Sequence, residues 1–266
     1  MKRIAIGLSY NGVFFNGWQS QLDVDSVQDS LEKAILRFTA NNKRIRVTCA
    51  GRTDKGVHAT LQVVHFDTDV NRKMSSWVRG INTFLPSSVS VHWAKEVTED
   101  FHARFSAISR TYTYVLYCGR IRPSIYKDLV GWCIYDLNLE NMLMASEYLI
   151  GLHDFSSFRA SGCQSNNPVR FVHYIEIKRN GHFIFFKIKA NAFLYHMVRN
   201  IIGSLIEVGK SIKSVYWIKE LLESKNRSLS APTFSPSGLY LSYISYPDKF
   251  NLFQHTNDED IAIPFL

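Results

Sequence analysis

The sequence has 266 residues, of which 46% are hydrophobic and 20% charged; this is a globular balance that excludes wholesale disorder and supplies a core without disulfide or metal staples. Lys and Arg number 31 against 23 Asp and Glu, a formal charge of +8, so the expected partner is a polyanion, nucleic acid ahead of membrane. A soluble protein that is merely basic is the plainer account of the same charge.

Ile4, Ile6 and Leu8 alternate with smaller residues, which predicts a strand over Arg3–Tyr10. Asn11–Asp25 contains Gly, Asn and Asp and reads as a loop. Ser26 suits a helix N-cap, with Asp29 three residues on and Val27, Leu31, Ala34, Ile35 and Phe38 at helical spacing. Strands are predicted at Ile45–Cys49, Leu61–Phe66 and Val89–Val97, and a helix at Asn71–Leu85. The second half repeats this order: strand Arg110–Cys118, helix Leu139–Ile150, then strands Phe171–Lys178 and His182–Lys189 around an Asn180-Gly181 turn signal. Helices at Ala192–Val208 and Val215–Lys225 and a strand at Leu239–Tyr246 complete it.

The predicted architecture is therefore α+β. Two ferredoxin-like, RRM-like βαββαβ halves carry mainly antiparallel sheets able to join edge to edge. The boundary is expected near Glu99–Ser109, giving domains over residues 1–105 and 106–266 with no flexible linker. Cys49, Cys118, Cys133 and Cys163 form no C-x-x-C pair and stand at no zinc spacing with histidines. Free thiols in a reducing cytosol are expected. No stretch approaches the roughly 20 apolar residues of a membrane-spanning helix, and MKRIAIGLSY has no signal-peptide pattern. A cytoplasmic protein without membrane contact follows as the expectation.

Chemistry concentrates in Ala50-Gly51-Arg52-Thr53-Asp54-Lys55-Gly56-Val57-His58-Ala59. Glycines allow unusual dihedrals and close approach of a ligand, and a carboxylate between cations stays ionised. A polar hairpin loop with an Arg–Asp pair is the plain structural reading of the same residues.

GRTD-x-GVHA resembles the signature of the tRNA pseudouridine synthase A family. The resemblance extends through NGWQSQ (Asn16–Gln21), FHARFSA (Phe101–Ala107), DFSSFRA (Asp154–Ala160), ANAFLYHMVRNIIGSLIEVG (Ala190–Gly209), GLYL (Gly238–Leu241) and YPDKF (Tyr246–Phe250), in the family's order and over nearly the whole chain. One departure is Lys55, where the family pattern usually has a small residue, often Ala.

The resemblance implies cofactor-free and metal-free isomerisation of uridine to pseudouridine in the anticodon stem-loop of tRNA, at positions 38, 39 and 40, by a cytoplasmic homodimer with its catalytic loop in a cleft between the halves. Asp54 matches the catalytic aspartate, Arg52 the arginine that assists base flipping or occupies the space vacated by the base, and Arg199 the arginine paired with the aspartate. Tyr112 matches the tyrosine that stacks on the target base, and Leu239 the leucine that walls the base pocket. Each has a plainer reading: strand residues packed in a core for Tyr112 and Leu239, an exposed helix cation for Arg199, a phosphate-bound loop cation for Arg52. Lys55 and His58 are further candidates for substrate contact; His58 could be a general acid or base, although a lone loop histidine is more often structural and bonded to the backbone. Tyr114 reads as packing. Arg104, Arg110, Arg120, Arg122, Lys127, Arg159, Arg170, Lys178, Arg179, Lys187 and Lys189 could line an RNA surface, although each taken singly reads as a solvated charge.

Two other classes compete. A non-catalytic protein of two RRM modules would carry an RNP1-type aromatic motif, and no good match is present. A metal-dependent hydrolase would show H-x-x-x-H or paired-carboxylate spacing, which is also missing.

Overall fold

A computed structural model describes residues 1–40 and 43–252. The chain divides into two compact units, Met1–Ile108 with Tyr240–Leu266, and Ser109–Leu239. The closing strand, counted by element order with the second half, thus belongs almost entirely with the first unit.

In the first unit, β1 (Lys2–Tyr10) runs antiparallel to both β4 (Val89–Val97) and β3 (His58–Thr68). The short β2 (Thr48–Cys49) lies antiparallel on the far edge of β3, so the order β4-β1-β3-β2 is that of a ferredoxin-like βαββαβ unit. Tyr240 and Leu241 of β10 (Leu239–Ser245) pair parallel with His58 and Ala59 at the start of β3. Helices α1 (Val27–Thr39) and α2 (Met74–Phe84) pack on each other through Phe38 and Trp77, whose rings meet edge-on at 5.1 Å. Ser26 caps α1, its hydroxyl accepting from the Asp29 N–H at 3.0 Å, as the sequence suggests.

In the second unit, β5 (Ser109–Cys118), β9 (Phe183–Ala190), β8 (Val169–Asn180) and β7 (Gly151–Asp154) form an antiparallel sheet in that order, with β6 (Gly131–Cys133) parallel to β5. The helices are α3 (Leu139–Glu147), α4 (Met197–Gly209) and α5 (Trp217–Ser224). Eleven of the 13 residues of α4 are buried, which makes it the central helix of this unit. The architecture is α+β with mainly antiparallel pairing, as read from the sequence.

The departures have identifiable causes. Ile45–Val47 is not ladder strand, because the buried Glu32 carboxylate accepts the Val47 N–H at 2.9 Å and also takes Arg44. Helix α4 begins at Met197 rather than Ala192. His196 sits at φ +59, and the Asn191 side chain accepts the Ala192 and Phe171 N–H groups, holding that stretch out of the helix. The β8–β9 turn is centred on Gly181 (φ +56) and His182, one residue later than the Asn-Gly signal. Strands β6 and β7 are too short to show a period and are not foreseen. Arg170 is 9% exposed, not solvated.

One buried cluster in the first unit makes stability depend on pH. The His65 Nδ1 accepts the Ala103 N–H at 3.1 Å, so its neutral form carries the proton on Nε2. The ring is 6% exposed and packs edge-on to Phe101 and to His102. Burial first, then Arg3 and His102, push its pKa from 6.5 down to about 4, against a smaller opposing effect of Asp67. The unfolded chain therefore binds more protons between these values, and stability is complete above pH 6.5 and falls as pH drops toward 4. His65→Asn keeps an acceptor near the Nδ1 position and cannot titrate. Urea unfolding of both proteins from pH 7 to pH 4 should show the wild type losing about 3 kcal/mol more than the variant. Parallel pH profiles would refute the assignment.

Candidate active site

The loop Ala50–Ala59 is built into the first unit by backbone contacts on three sides. Gln62, fully buried, donates from Nε2 to the Gly51 carbonyl at 2.6 Å, and the Ala50 N–H donates to the Val63 carbonyl at 2.8 Å. The Thr53 carbonyl accepts the Trp18 N–H at 3.0 Å, and the Thr53 hydroxyl is 2.8 Å from the Tyr10 phenol. A turn closes after Asp54, with the Val57 N–H donating to the Asp54 carbonyl at 3.1 Å and Gly56 at φ +77. The backbone on either side of Asp54 is thereby fixed.

Two glycines outside the loop make this possible. A Cβ at Gly17 would lie 2.7 Å from the Thr53 carbonyl oxygen and 3.1 Å from the Asp54 carbonyl carbon. Gly17 also holds φ +91, where L side chains are strained. A Cβ at Gly12 would lie 2.1 Å from the Val57 carbonyl oxygen. The Gly12 N–H donates to His58 Nδ1 at 3.1 Å.

This places the candidates of the loop individually. Asp54 is half-buried, while Arg52 and Lys55 are exposed on either side of it. His58 is 2% exposed, its Nδ1 is taken by the Gly12 N–H, and its ring stacks on Tyr240 at 4.6 Å. Its geometry is that of a residue holding the floor of the loop.

Tyr112, Arg199 and Leu239 lie in the second unit. Tyr112, on β5 opposite Ile188, is buried with its ring edge-on to Phe193 at 5.0 Å. Arg199 lies in the first turn of α4 and is half-buried; its Nε donates to the Phe234 carbonyl at 2.8 Å, and the Phe234 N–H returns to the Arg199 carbonyl at 3.3 Å. Leu239 is buried, and its N–H closes a turn onto the Pro236 carbonyl at 2.9 Å. Gly238 before it tolerates no Cβ, which would stand 2.3 Å from the Val115 carbonyl oxygen. Segment 234–239 therefore ties the backbone around Arg199 to that of Leu239. Tyr114 is core, its phenol donating to the Ser235 carbonyl at 2.9 Å.

Sequence reasoning missed the supporting residues Gly12, Gly17, Tyr10 and Gln62. The one signal, for Gly12 and Gly17 alone, was the pair of glycines in the loop before the first helix. NGWQSQ marked the family without revealing that its glycine lies under Asp54.

The arrangement defines an enzyme site rather than an RRM surface: one carboxylate flanked by cations on a rigid glycine-dependent loop. Comparison with known proteins specifies the chemistry. A family model described as tRNA pseudouridine synthase matches residues 6–106 and 145–247. The tRNA pseudouridine synthase A of Bordetella avium is 52% identical over 265 residues, covering 100% of this chain and 99% of that protein. The Pasteurella multocida protein of the same name is 53% identical over 253 residues, covering 95% of each. A Cbf5-Nop10-Gar1 complex is a distant structural neighbour, at 13% identity and a TM-score of 0.33 over 84% of this chain and 61% of that one. The class is thus an isomerase, a pseudouridine synthase. The chain belongs to the tRNA pseudouridine synthase family.

The glycine contact yields a direct test. Gly17→Ala adds a Cβ at a positive φ and against the carbonyls that set the direction of Asp54. It should cost roughly 1–3 kcal/mol of stability. It should also lower the single-turnover rate on tRNA by tenfold or more, beyond any loss of folded protein. A variant that unfolds less easily than expected but isomerises uridine at the wild-type rate would show that the loop position does not depend on Gly17.

Proposed function

We propose that the chain acts on the anticodon stem-loop of tRNA, isomerising uridines at positions 38, 39 and 40, with Asp54 as the nucleophile. The observation that carries the reading is the half-buried Asp54 on a loop whose flanking carbonyls are both pinned, within a string that matches the family signature. The uridine is stacked in RNA and must be flipped out before a side chain can reach it. The C1′–N1 bond then breaks, the uracil turns, and C5 bonds to C1′. The C5 proton goes to solvent and N1 takes one up, so uridine and pseudouridine are isomers. A carboxylate serves by attacking C1′ or C6, or by taking a proton from C2′.

The motif matches supply the remaining roles. Tyr112 and Leu239 are proposed to bound the flipped base. Arg52 is proposed to assist flipping, and Arg199 to hold Asp54 in its charged form. Lys55 is proposed to contact a nearby phosphate. The position of His58 supports a positioning role beneath the loop. A homodimer acting in the cytoplasm completes the proposal; the thiols suit a reducing compartment, and among the described residues no helix is long and apolar enough to cross a membrane.

Asp54→Asn keeps size and hydrogen bonding but removes the charge. It should abolish tritium release from C5-labelled tRNA by several orders of magnitude while tRNA still binds. Activity within tenfold of wild type, only about 1.4 kcal/mol of barrier, would end the nucleophile assignment. Mapping pseudouridine in treated tRNA tests the positions separately. Arg199→Met should also cost activity, and combining it with Asp54→Asn should be no worse than Asp54→Asn alone, because the two would act as one unit. Full additivity of the losses would separate them.

Lys55→Ala should weaken tRNA binding at low salt and less so at high salt, with the chemical step largely intact. Unchanged affinity and an unchanged salt dependence would assign Lys55 to solvent.

A further inference from the structure

A cavity of about 810 Å³ opens within the second unit. Its wall comprises the turn from Arg159 to Cys163, Tyr195 and His196 at the start of α4, and Arg227 and Thr233. Its charge is unusual. Arg159 donates from Nη2 to the Cys163 carbonyl at 3.0 Å. Arg227 donates to the Ser230 carbonyl, the Asn200 side-chain oxygen and the Thr233 hydroxyl. Behind the turn, Arg170 donates to the carbonyls of Asn167 and Val169 and to the Ser165 hydroxyl. Its Nε is buried with no hydrogen-bond partner among the described residues. None of the three arginines has a carboxylate partner among those residues. Asp154, the acid of the same motif block, is engaged by Ser156 and Lys225.

Arginine groups taken from water without an acid are costly unless a negative group reaches them. Burial lowers the pKa of both Arg170 and Arg227. The thiol of Cys163 lies in the same wall and senses the positive field. Burial raises its pKa, but the Tyr195 and Ser165 N–H groups and Arg159 outweigh that and lower it overall. The Cys163 carbonyl, not an acid, is what Arg159 reaches. The start of α4 adds to the positive side: it has no side-chain cap and no acidic residue in its first turn. The turn leaves the space open, with Gly162 at φ +81 and nothing within 4 Å of a Cβ built there.

We propose that this cavity is a phosphate-binding subsite that takes a backbone phosphodiester of the substrate RNA. The proposal rests on the tRNA reading above but not on which uridine is modified. It gives Arg159 a specific anion to bind where the sequence suggested a solvated charge, and it brings in Arg227, which the sequence did not single out.

The test uses the full chain and two RNAs, an unmodified tRNA and the same tRNA with its anticodon-arm uridines replaced by cytidine. Binding is measured at three or more salt concentrations for wild type, Arg159→Gln and Ser161→Asp. Ser161 is an exposed residue of the cavity wall, so the second variant adds a negative charge without disturbing the core. Both variants should bind both RNAs about fivefold to tenfold more weakly at low salt, with the slope of log K against log salt reduced by about one. Inorganic phosphate should raise the melting temperature of the wild type and not of Ser161→Asp, and should slow iodoacetamide labelling of Cys163. Wild-type affinity and slope in Ser161→Asp would overturn the proposal. Phosphate protection without any change in RNA binding would overturn it too, by making the ligand a free anion. Because the cytidine-bearing tRNA cannot be modified in that arm, failure of the anticodon-arm assignment would leave these readouts intact.

Discussion

Close approach of the segment 12–17 to the loop 53–58 is the contact on which the candidate active site depends. Two chain segments meet there at backbone distance, and the packing leaves no room for a Cβ on either Gly12 or Gly17. The carbonyls of Thr53, Asp54 and Val57 all lie on that surface. Fixing carbonyls fixes peptide planes, and peptide planes set the direction of the side chain between them. A carboxylate that must meet one atom of a flipped nucleotide gains from being aimed in advance, since reorientation would otherwise add to the barrier. Buried partners reinforce the aim. The Thr53 hydroxyl meets the Tyr10 phenol, Gln62 holds the Gly51 carbonyl, and His58 is locked as an acceptor beneath Gly12.

The same logic explains what could be read in the sequence. Long periodic elements were legible: β1, α1, β4, β5, β8 and β9 follow from apolar alternation or helical spacing, because burial of one face decides them. The candidate loop was legible because its chemistry is compressed into adjacent positions. What escaped were features set by tertiary partners. Helix α4 starts five residues later than its apolar pattern because Asn191 and the left-handed His196 hold the preceding stretch elsewhere. Strand β2 shrinks because Glu32, 15 residues earlier, offers the Val47 N–H a buried carboxylate. The role of Gly17 was hidden for the same reason. A glycine in a loop signals freedom, and only its neighbour in space shows that the freedom is spent on proximity.

Charge was the least legible property. The sequence spreads its cations evenly enough that each reads as solvated. Several are tied down in ordinary ways: Arg179 pairs with Asp136, Lys178 with Glu176, and Arg110 caps the Asn191 carbonyl. Exposed pairs of this kind contribute little to stability and are screened by salt. Arg159, Arg170 and Arg227 differ because their hydrogen bonds go to neutral oxygens. Neutral acceptors satisfy donors without neutralising charge, so these groups remain an electrostatic cost to the folded protein.

That difference bears on how an RNA enzyme divides its cations. Arginines already matched to carboxylates have little left to offer a phosphate, since binding RNA would mean breaking the pair first. Arginines held in place by carbonyls and hydroxyls keep both their orientation and their full charge. Such groups attract a polyanion at a fixed position, whereas paired surface cations add only a diffuse field that salt removes. The lone carboxylate of the candidate loop has the complementary arrangement, with exposed cations on both sides in Arg52 and Lys55. In its proposed role as nucleophile, that carboxylate works on a negatively charged substrate, and without flanking cations it would repel the backbone it has to approach. On the proposed roles, the cations beside Asp54 and those around the cavity of the second unit answer one physical problem twice: bringing a phosphate chain close to a protein whose proposed reacting group carries the same sign.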